Sequence, residues 1–256
     1  MDEWAAKGEI EPASVGCKWN APLLPVPKVS GGVVVPDDMR VPIDFRAHNN
    51  QTVPPDFYIP ILCEMLRKME GANYFAEIDL AHAFHQIKLF VESRDITTFT
   101  DPNGKRWRWT VMVEGAKNAA NHMQWVLERV LENSLDYAAA YIDNILIPGS
   151  TLEECITRAK EVIDRLTNAS LRINFKKSRF GLRRIRFMGS LIDGRSRSID
   201  PIKVSALQKM SRPRTGPQME SFLGFVNYLR DFIPFYAMVV GPLERFRKCK
   251  KISDQE

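Results

Sequence analysis

Two aspartates carry the chemistry that this sequence could perform. Asp79 closes the apolar stretch "NYFAEID" (73–79), and Asp143 interrupts "YAAAYIDNILI" (137–147) with Asn144 directly after it. A carboxylate flanked by apolar residues is costly to bury unless its charge is paired or bound to a metal. If the two stretches are neighbouring strands, both carboxylates project into one cleft. Their hard oxygen donors then suit Mg²⁺, with Mn²⁺ as the alternative. Two such ions about 3.5–4 Å apart stabilise the attacking and leaving oxygens of an in-line phosphoryl transfer. On spacing alone the bland reading prevails, in which Asp79 caps a helix and Asp143-Asn144 is a tight turn.

The elements that must position these residues are legible from periodicity. The first 60 residues are rich in Pro and Gly and read as irregular hairpins, with β-prone pieces "PLLPV" and "GGVVV". Residues 59–70 carry apolar positions 62, 65, 66 and 69 on one helical face. The strand ending at Asp79 breaks off near 79–83 and resumes through Ile87 and Leu89. "DPNGKR" (101–106) joins two β-prone runs as a hairpin turn. A helix is expected over 118–131, with a stripe at 119, 123, 126, 127, 130 and 131. Asp143-Asn144 sits between the arms of another hairpin. Thr151 and Glu154 form a capping box ahead of a helix that buries Cys155, Ala159, Val162, Ile163 and Leu166. Strand-like pieces at 171–175 and 185–192 follow. Asp200-Pro201 starts a helix, and a further stripe runs through Met219, Phe222, Leu223, Val226 and Leu229. This order is an α+β layout with a helical end.

Bulk properties bound the partners. The chain has 256 residues, is 45% hydrophobic and 26% charged, and is long enough for a substantial core. No apolar run approaches a membrane span and the acidic start is no signal peptide, so a membrane is excluded as a partner. Cys17, Cys63, Cys155 and Cys249 are too scattered for a metal site and read as free thiols. The net charge of +5 is concentrated late, in 171–187 and 245–251, where basic residues interleave with phenylalanines. Such a pattern suits a polyanion whose bases can stack, although taken alone it reads first as a solvated basic face. His82 and His85 lie three apart with no Cys or further His nearby and read as structural or solvent-facing.

Taken in order, these segments resemble the reverse transcriptase of gypsy-type LTR retrotransposons, from about residue 4 to about 250. "MRVPIDFRAHNNQTV" is similar to the family's "WRMCVDYRALNKVT", and "YFAEIDLAHAFHQI" to "YFSKIDLRSGYHQI". "YIDN" stands where the family has Tyr-x-Asp-Asp. "RINFKKSRFGLRRIRFMGSLI" and the run 198–233 follow the family's primer-grip and thumb segments.

The resemblance implies an RNA-directed DNA polymerase of α+β class with a right-hand fold. Its parts would be fingers over 1–73, including the start of the palm, and a palm over 74–193 with an antiparallel ferredoxin-like sheet. A fingers segment would interleave near 95–118, and 194–256 would be a short helical thumb or the start of the connection. The chain would then stop before any connection or ribonuclease H domain. The implied partners are an RNA or DNA template with its primer, and dNTPs, in an intracellular setting (cytoplasm, nucleus or retroelement particle).

Carried over residue by residue, Asp79 and Asp143 are the metal-binding carboxylates, and Asn144 occupies the degenerate catalytic position. Phe84 excludes the ribose 2′-hydroxyl. Arg40, Lys28 and Lys177 meet the nucleotide's phosphates, Glu114 and Gly115 line its pocket, and Phe187, Met188 and Gly189 form the primer grip. Two departures bear on activity. Asn144 removes one negative charge from the metal site. Glu114, in place of the family's Phe, faces the triphosphate and calls for a screening cation such as Lys117. The alternative is an inactive polymerase fold that only binds nucleic acid or protein; an unrelated α+β binding protein would leave the ordered matches unexplained.

Overall fold

The computed structural model describes residues 1–252 apart from 31, 32, 58 and 188, with the backbone alone described at 28–30, 33–40, 62 and 63. Helix α1 (Asp2–Ala6) and strand β1 (Ile10–Pro12) open the chain. Val26–Ser30 (β2) and Val33–Arg40 (β3) pair as an antiparallel hairpin. Short helices α2 (Arg46–Gln51) and α3 (Leu62–Arg67) lead to β4 (Tyr74–Asp79). A 3₁₀ turn (Ala83–Gln86) and α4 (Val91–Arg94) precede the hairpin β5 (Phe99–Thr100) and β6 (Arg106–Trp109). Its turn is the "DPNGKR" segment. The Asp101 carboxylate accepts from the N–H groups of Asn103 and Lys105 and from the Trp107 indole, each at 2.9 Å.

The second half alternates helices and strands. It runs α5 (Ala119–Leu131), β7 (Ala139–Tyr141), β8 (Asn144–Gly149), α6 (Leu152–Asn168) and β9 (Arg179–Leu182). Then come β10 (Ile185–Phe187), β11 (Ser190–Ile192), β12 (Arg197–Ile199), α7 (Pro201–Gln208), α8 (Gly216–Tyr228) and α9 (Tyr236–Glu244). Helix starts follow local capping chemistry. The Thr151 hydroxyl accepts from the Glu154 N–H at 3.1 Å, and Asp200 accepts from Ile202 with Pro201 in the first turn. The Glu154 carboxylate takes the N–H of Ser150, one residue before the expected capping-box partner.

The sheet that matters most has strand order β7-β8-β4-β9, every pair antiparallel. Period-2 alternation gives it two working faces. Ala76, Ile78, Ile145 and Ile147 point at α5 and α6, meeting Met123, Leu127, Leu131, Val162 and Leu166 in the largest core cluster. Phe75, Ala139 and Leu146 point the other way, into a cluster with Met65, Met69, Ile185, Phe187 and Ile192. A third cluster joins Ile10, Phe45, Phe99 and Trp109 around the β1-β6-β5 sheet. A fourth lies between α8 and α9. Among the described residues no helix is long and apolar enough to cross a membrane.

Three expected strands take other forms. Over 171–175 only an isolated bridge between Ile173 and Leu80 forms, because the chain turns at once: Lys177 and Ser178 both donate backbone N–H to the Asn174 carbonyl. The fourth strand of the sheet is instead Arg179–Leu182. Over 87–89 there is likewise a single bridge, Lys88 to Val111, and the following Phe90 is exposed. The 185–192 piece is a hairpin of two short strands rather than one strand.

Strand β8 packs so closely on α6 that a Cβ at Gly149 would lie 2.6 Å from the Cys155 backbone nitrogen. Gly149→Ala must therefore push strand and helix apart. We expect a loss of roughly 1–3 kcal/mol, as for overpacked cores, read by urea unfolding with an unchanged m-value; a loss below about 0.5 kcal/mol, within the range of ordinary surface substitutions, would show that the contact relaxes freely.

Candidate active site

Asp79 ends β4 and pairs across the ladder with Asn144, the first residue of β8. Strand alternation sets Asp79 on the same face as Glu77 and Phe75. The apolar cluster around Phe75 closes one end of that face. At the other end the Glu77 and Asp79 side chains keep only 14% and 16% exposure, enough for solvent or a ligand to reach them. The end of β4 is pinned by its backbone. The Asp79 N–H donates to Ser178 Oγ at 3.1 Å, its carbonyl accepts from Asn174 at 2.8 Å, and Leu80 N–H donates to the Asp143 carbonyl at 3.0 Å.

Burial raises the pKa of Asp79. The ammonium of Lys177, 3.9 Å away, opposes that shift, and the nearby charge of Asp143 adds to it. Burial likewise raises Glu77, against the pull of Arg179 at 3.8 Å. Both cations have largely exposed side chains, so solvent screens their hold on the carboxylates. The result is a concentration of negative charge that the protein neutralises only in part. Glu77 escaped the sequence analysis. Its signal is its spacing, two residues before Asp79 in the same strand.

Asp143 lies in the tip of the β7–β8 hairpin, one position from where the sequence put the turn. Tyr141 pairs with Asn144, so the loop residues are Ile142 and Asp143, not Asp143 and Asn144. Ile142 adopts φ +57°, a region that costs a β-branched residue energy. Gln124 of α5 holds it there. Its side-chain oxygen accepts the Ile142 N–H at 2.8 Å, and its amide nitrogen donates to the Ala140 carbonyl at 3.0 Å, with the residue 1% exposed. The only sequence trace of this clamp is a polar residue directly after Met123 in a buried helical stripe.

Asn144 therefore tolerates its place as a strand residue opposite Asp79 rather than as a turn residue. Its side-chain oxygen is buried without a hydrogen-bond partner among the described residues. The local donors are thus two carboxylates and one orphaned amide oxygen. No group of three or more His, Cys, Asp or Glu positioned to hold a metal occurs among the described residues. The set is all oxygen and fits an ion of the Mg²⁺ type, which takes one or two carboxylates and completes its shell with water and substrate phosphate.

The remaining expected residues fall around this centre. Phe84 lies in the 3₁₀ turn just beyond Asp79, half-buried against the main core cluster. Glu114 and Gly115 are exposed on a loop where Gly115 takes φ +90°. Asn49 clamps this loop, donating to the Gly115 carbonyl and accepting from the Lys117 N–H, both at 2.9 Å. The Lys117 ammonium, expected to screen Glu114, goes instead to the Thr52 carbonyl at 2.7 Å, because the clamped loop aims it that way. Phe187 is 4% exposed and stacks edge-on against Tyr141 in the core, so its side chain supports the β10–β11 turn from beneath instead of reaching outward. Gly189, at φ +66°, follows in that turn; a Cβ there would overlap the Tyr228 hydroxyl of α8. Met188 and the side chains of Lys28 and Arg40 lie outside the described residues. His85 faces Glu9 at 3.4 Å and makes a tilted ring contact with Trp109 at 5.1 Å, a structural setting.

Two predictions follow from this geometry. Gln124→Leu strands the Ile142 N–H and the Ala140 carbonyl, so we expect a loss of about 1–3 kcal/mol with accelerated hydrogen exchange at Ile142; unchanged exchange would remove the clamp from the account. Asp79→Asn removes a charge whose folded pKa lies above the ordinary 3.8. Its destabilising effect is absent below pH 3.8 and appears as pH rises through the folded value. In metal-free buffer at pH 7 the variant should melt higher, by about 2–4 °C per kcal/mol relieved. Asn144→Asp, which puts a like charge opposite Asp79, should melt lower. Reversal of either sign would contradict the charge crowding.

The chain is similar in sequence and in fold to known proteins. Residues 26–192 match the family model for reverse transcriptase (RNA-dependent DNA polymerase). The chain is 32% identical over 243 residues to the retrovirus-related Pol polyprotein from transposon 297 of Drosophila melanogaster, covering 93% of this chain and 22% of that polyprotein. It is 28% identical over 228 residues to the transposon Tf2-7 polyprotein of Schizosaccharomyces pombe, covering 89% and 17%. Among solved structures, the foamy viral protease-reverse transcriptase in complex with an RNA/DNA hybrid superposes with TM-score 0.84 at 25% identity, over 99% of this chain and 34% of that one. The foamy viral protease-reverse transcriptase dRH in complex with double-stranded DNA gives 0.86 at 24%, over 99% and 44%. The chain thus spans about a fifth of its polyprotein relatives.

Proposed function

Because the chain belongs to the reverse transcriptase (RNA-dependent DNA polymerase) family, we propose that it is the polymerase part of a retrotransposon polyprotein and extends a primer on an RNA or DNA template. The observation that carries this reading is the paired placement of Asp79, Asp143 and Asn144 at the open end of an otherwise buried sheet. In this reading residues 1–73 act as fingers, 74–193 as palm with a fingers segment near 95–118, and 194–256 as thumb.

Asp79 and Asp143 would hold divalent cations, Mg²⁺ or Mn²⁺, with the Asn144 amide oxygen as a neutral third donor. When bound, such ions offset charge on the attacking and leaving oxygens of the phosphoryl transfer. The primer 3′-hydroxyl would give up its proton to solvent while its oxygen forms a bond to the α-phosphorus of a dNTP, the bond to the bridging oxygen breaks and pyrophosphate leaves. Lys177, flexible and 3.9 Å from Asp79, can turn from the carboxylate to the departing phosphates. Phe84, braced by the core, would crowd a ribose 2′-hydroxyl and so favour deoxynucleotides. Arg40 and Lys28 would meet the triphosphate from the β2–β3 hairpin. Gly115, where φ is +90°, would let backbone approach the nucleotide. Gly189, seated on Tyr228, would support the primer end together with Phe187 and Met188.

Asn144 favours a second reading, an inactive fold that keeps nucleic-acid binding. It supplies no charge to a site meant for dications, and Glu114 stands exposed without an ion pair among the described residues. Primer extension on an RNA template with Mg²⁺ or Mn²⁺ separates the two. We expect slow extension that Asp79→Ala abolishes and Asn144→Asp accelerates by tenfold or more. Extension that survives Asp79→Ala would refute the site. Absence of extension from both the native chain and Asn144→Asp would favour the inactive reading.

A further inference from the structure

Beyond Asp79 the chain turns back at once, and that turn carries Phe84. His82 sits in the left-handed region at φ +48°, and Ala83–Gln86 continue as a turn of 3₁₀ helix. A left-handed residue other than glycine, followed by a 3₁₀ turn with its poorer hydrogen-bond geometry, has little local reason to persist. Backbone bonds within the turn run from the His85 N–H to the His82 carbonyl at 2.9 Å and from the Ile87 N–H to the Phe84 carbonyl at 3.1 Å. Both are internal, so neither fixes the turn relative to Asp79.

Gln86 supplies that fixing. Its amide nitrogen donates to the Ala81 carbonyl at 2.7 Å, which closes the loop between them, and to the Arg172 carbonyl at 3.1 Å. Its side-chain oxygen accepts the Arg172 N–H at 2.6 Å. The same strip of backbone holds the chain immediately after β4. The Ala81 N–H donates to the Arg172 carbonyl at 2.9 Å, Leu80 bridges to Ile173, and the Asn174 N–H donates to the Asp79 carbonyl at 2.8 Å. Residues 172–174 therefore hold the start of the turn at Asp79 through backbone, and its far end through the side chain of Gln86. His85 adds a longer contact to Glu9, at 3.4 Å. Between these ties Phe84 is half-buried against the main core cluster.

On the reading of Phe84 as the residue that crowds a ribose 2′-hydroxyl, we propose that Gln86 is a positioning residue for deoxynucleotide selection. It fixes Phe84 relative to Asp79, and so sets the space left at the 2′ position of the incoming sugar. Gln86 acts by holding backbone, not by touching the nucleotide. Steric exclusion falls steeply with separation, so a small slip of the turn suffices to admit the hydroxyl.

The test uses the 256-residue chain with Mn²⁺ and a dideoxy-terminated primer on an RNA template, so that a nucleotide binds without reacting. dGTP and GTP each displace a fluorescent dGTP analogue, and the ratio of their affinities is the readout. Extension of an ordinary primer by each is followed in parallel. Gln86→Met keeps the reach of the side chain and removes all three bonds; Gln86→Glu keeps the acceptor for Arg172 and loses both donations. We expect Gln86→Met to shrink the preference for dGTP by roughly tenfold or more, the scale on which pocket shape discriminates, and Gln86→Glu to shrink it as well. Because the effect runs through Phe84, Gln86→Met combined with Phe84→Ala should match Phe84→Ala alone. Gly149→Ala, which loosens the fold at the far end of β8, should keep the native ratio. A native ratio in either folded Gln86 variant, effects of Gln86→Met and Phe84→Ala that multiply, or an equal fall in Gly149→Ala would each overturn the proposal and leave the polymerase reading standing. Equal binding of dGTP and GTP by the native chain would remove the role of Phe84 and the proposal with it. Preferential binding of dGTP without extension would count against the polymerase reading, while the binding ratios still decide the role of Gln86.

Discussion

The register that seats Asn144 opposite Asp79 is the constraint from which the rest of the site follows. A one-residue slip between β4 and β8 would send Asp79 to the face packed by α5 and α6 and expose Ile78 in its place. The apolar alternation of both strands forbids that slip, because Ala76, Ile78, Ile145 and Ile147 are buried to the last percent against the helices. Gln124 then extends the control beyond the ladder by fixing the hairpin tip that carries Asp143. Packing on one face thus determines where charge appears on the other.

That charge is a source of instability retained at one end of a well-packed sheet. Asp79 feels burial and Asp143 together, and Glu77 stands on the same face, while the compensating cations sit out in solvent. Such crowding is what the proposed cation site would require, and activity and stability commonly trade against each other in this way. Asn144 relaxes the crowding by one charge while preserving an oxygen at the same position. An aspartate at 144 would give up that stability for a stronger electrostatic hold on a dication.

Much of this was legible in the residues. The strand ending at Asp79, the hairpin around Asp143, the stripes of α5 and α6 and the Asp200-Pro201 start all carry local signals that packing reinforces. What escaped was decided by tertiary contacts. The turn at Ile142 is unfavourable by local preference and persists because Gln124, eighteen residues away, satisfies its amide. The segment 171–175 has strand composition, yet it turns to place Asn174 against the end of β4. Lys117 lies three residues from Glu114, but loop clamping by Asn49 aims it elsewhere. Phe187 has the sequence position of a surface grip and the burial of a core residue.

The central claim is that Asp79 and Asp143, aided by the Asn144 oxygen, form a working site for divalent cations and nucleotide phosphate. Its most direct test is to count Mn²⁺ ions bound per chain in the presence of a dNTP, by electron paramagnetic resonance. Saturable Mn²⁺ binding that Asp79→Ala removes and Asn144→Asp tightens is the predicted result. Mn²⁺ binding that is indifferent to Asp79→Ala would contradict the account.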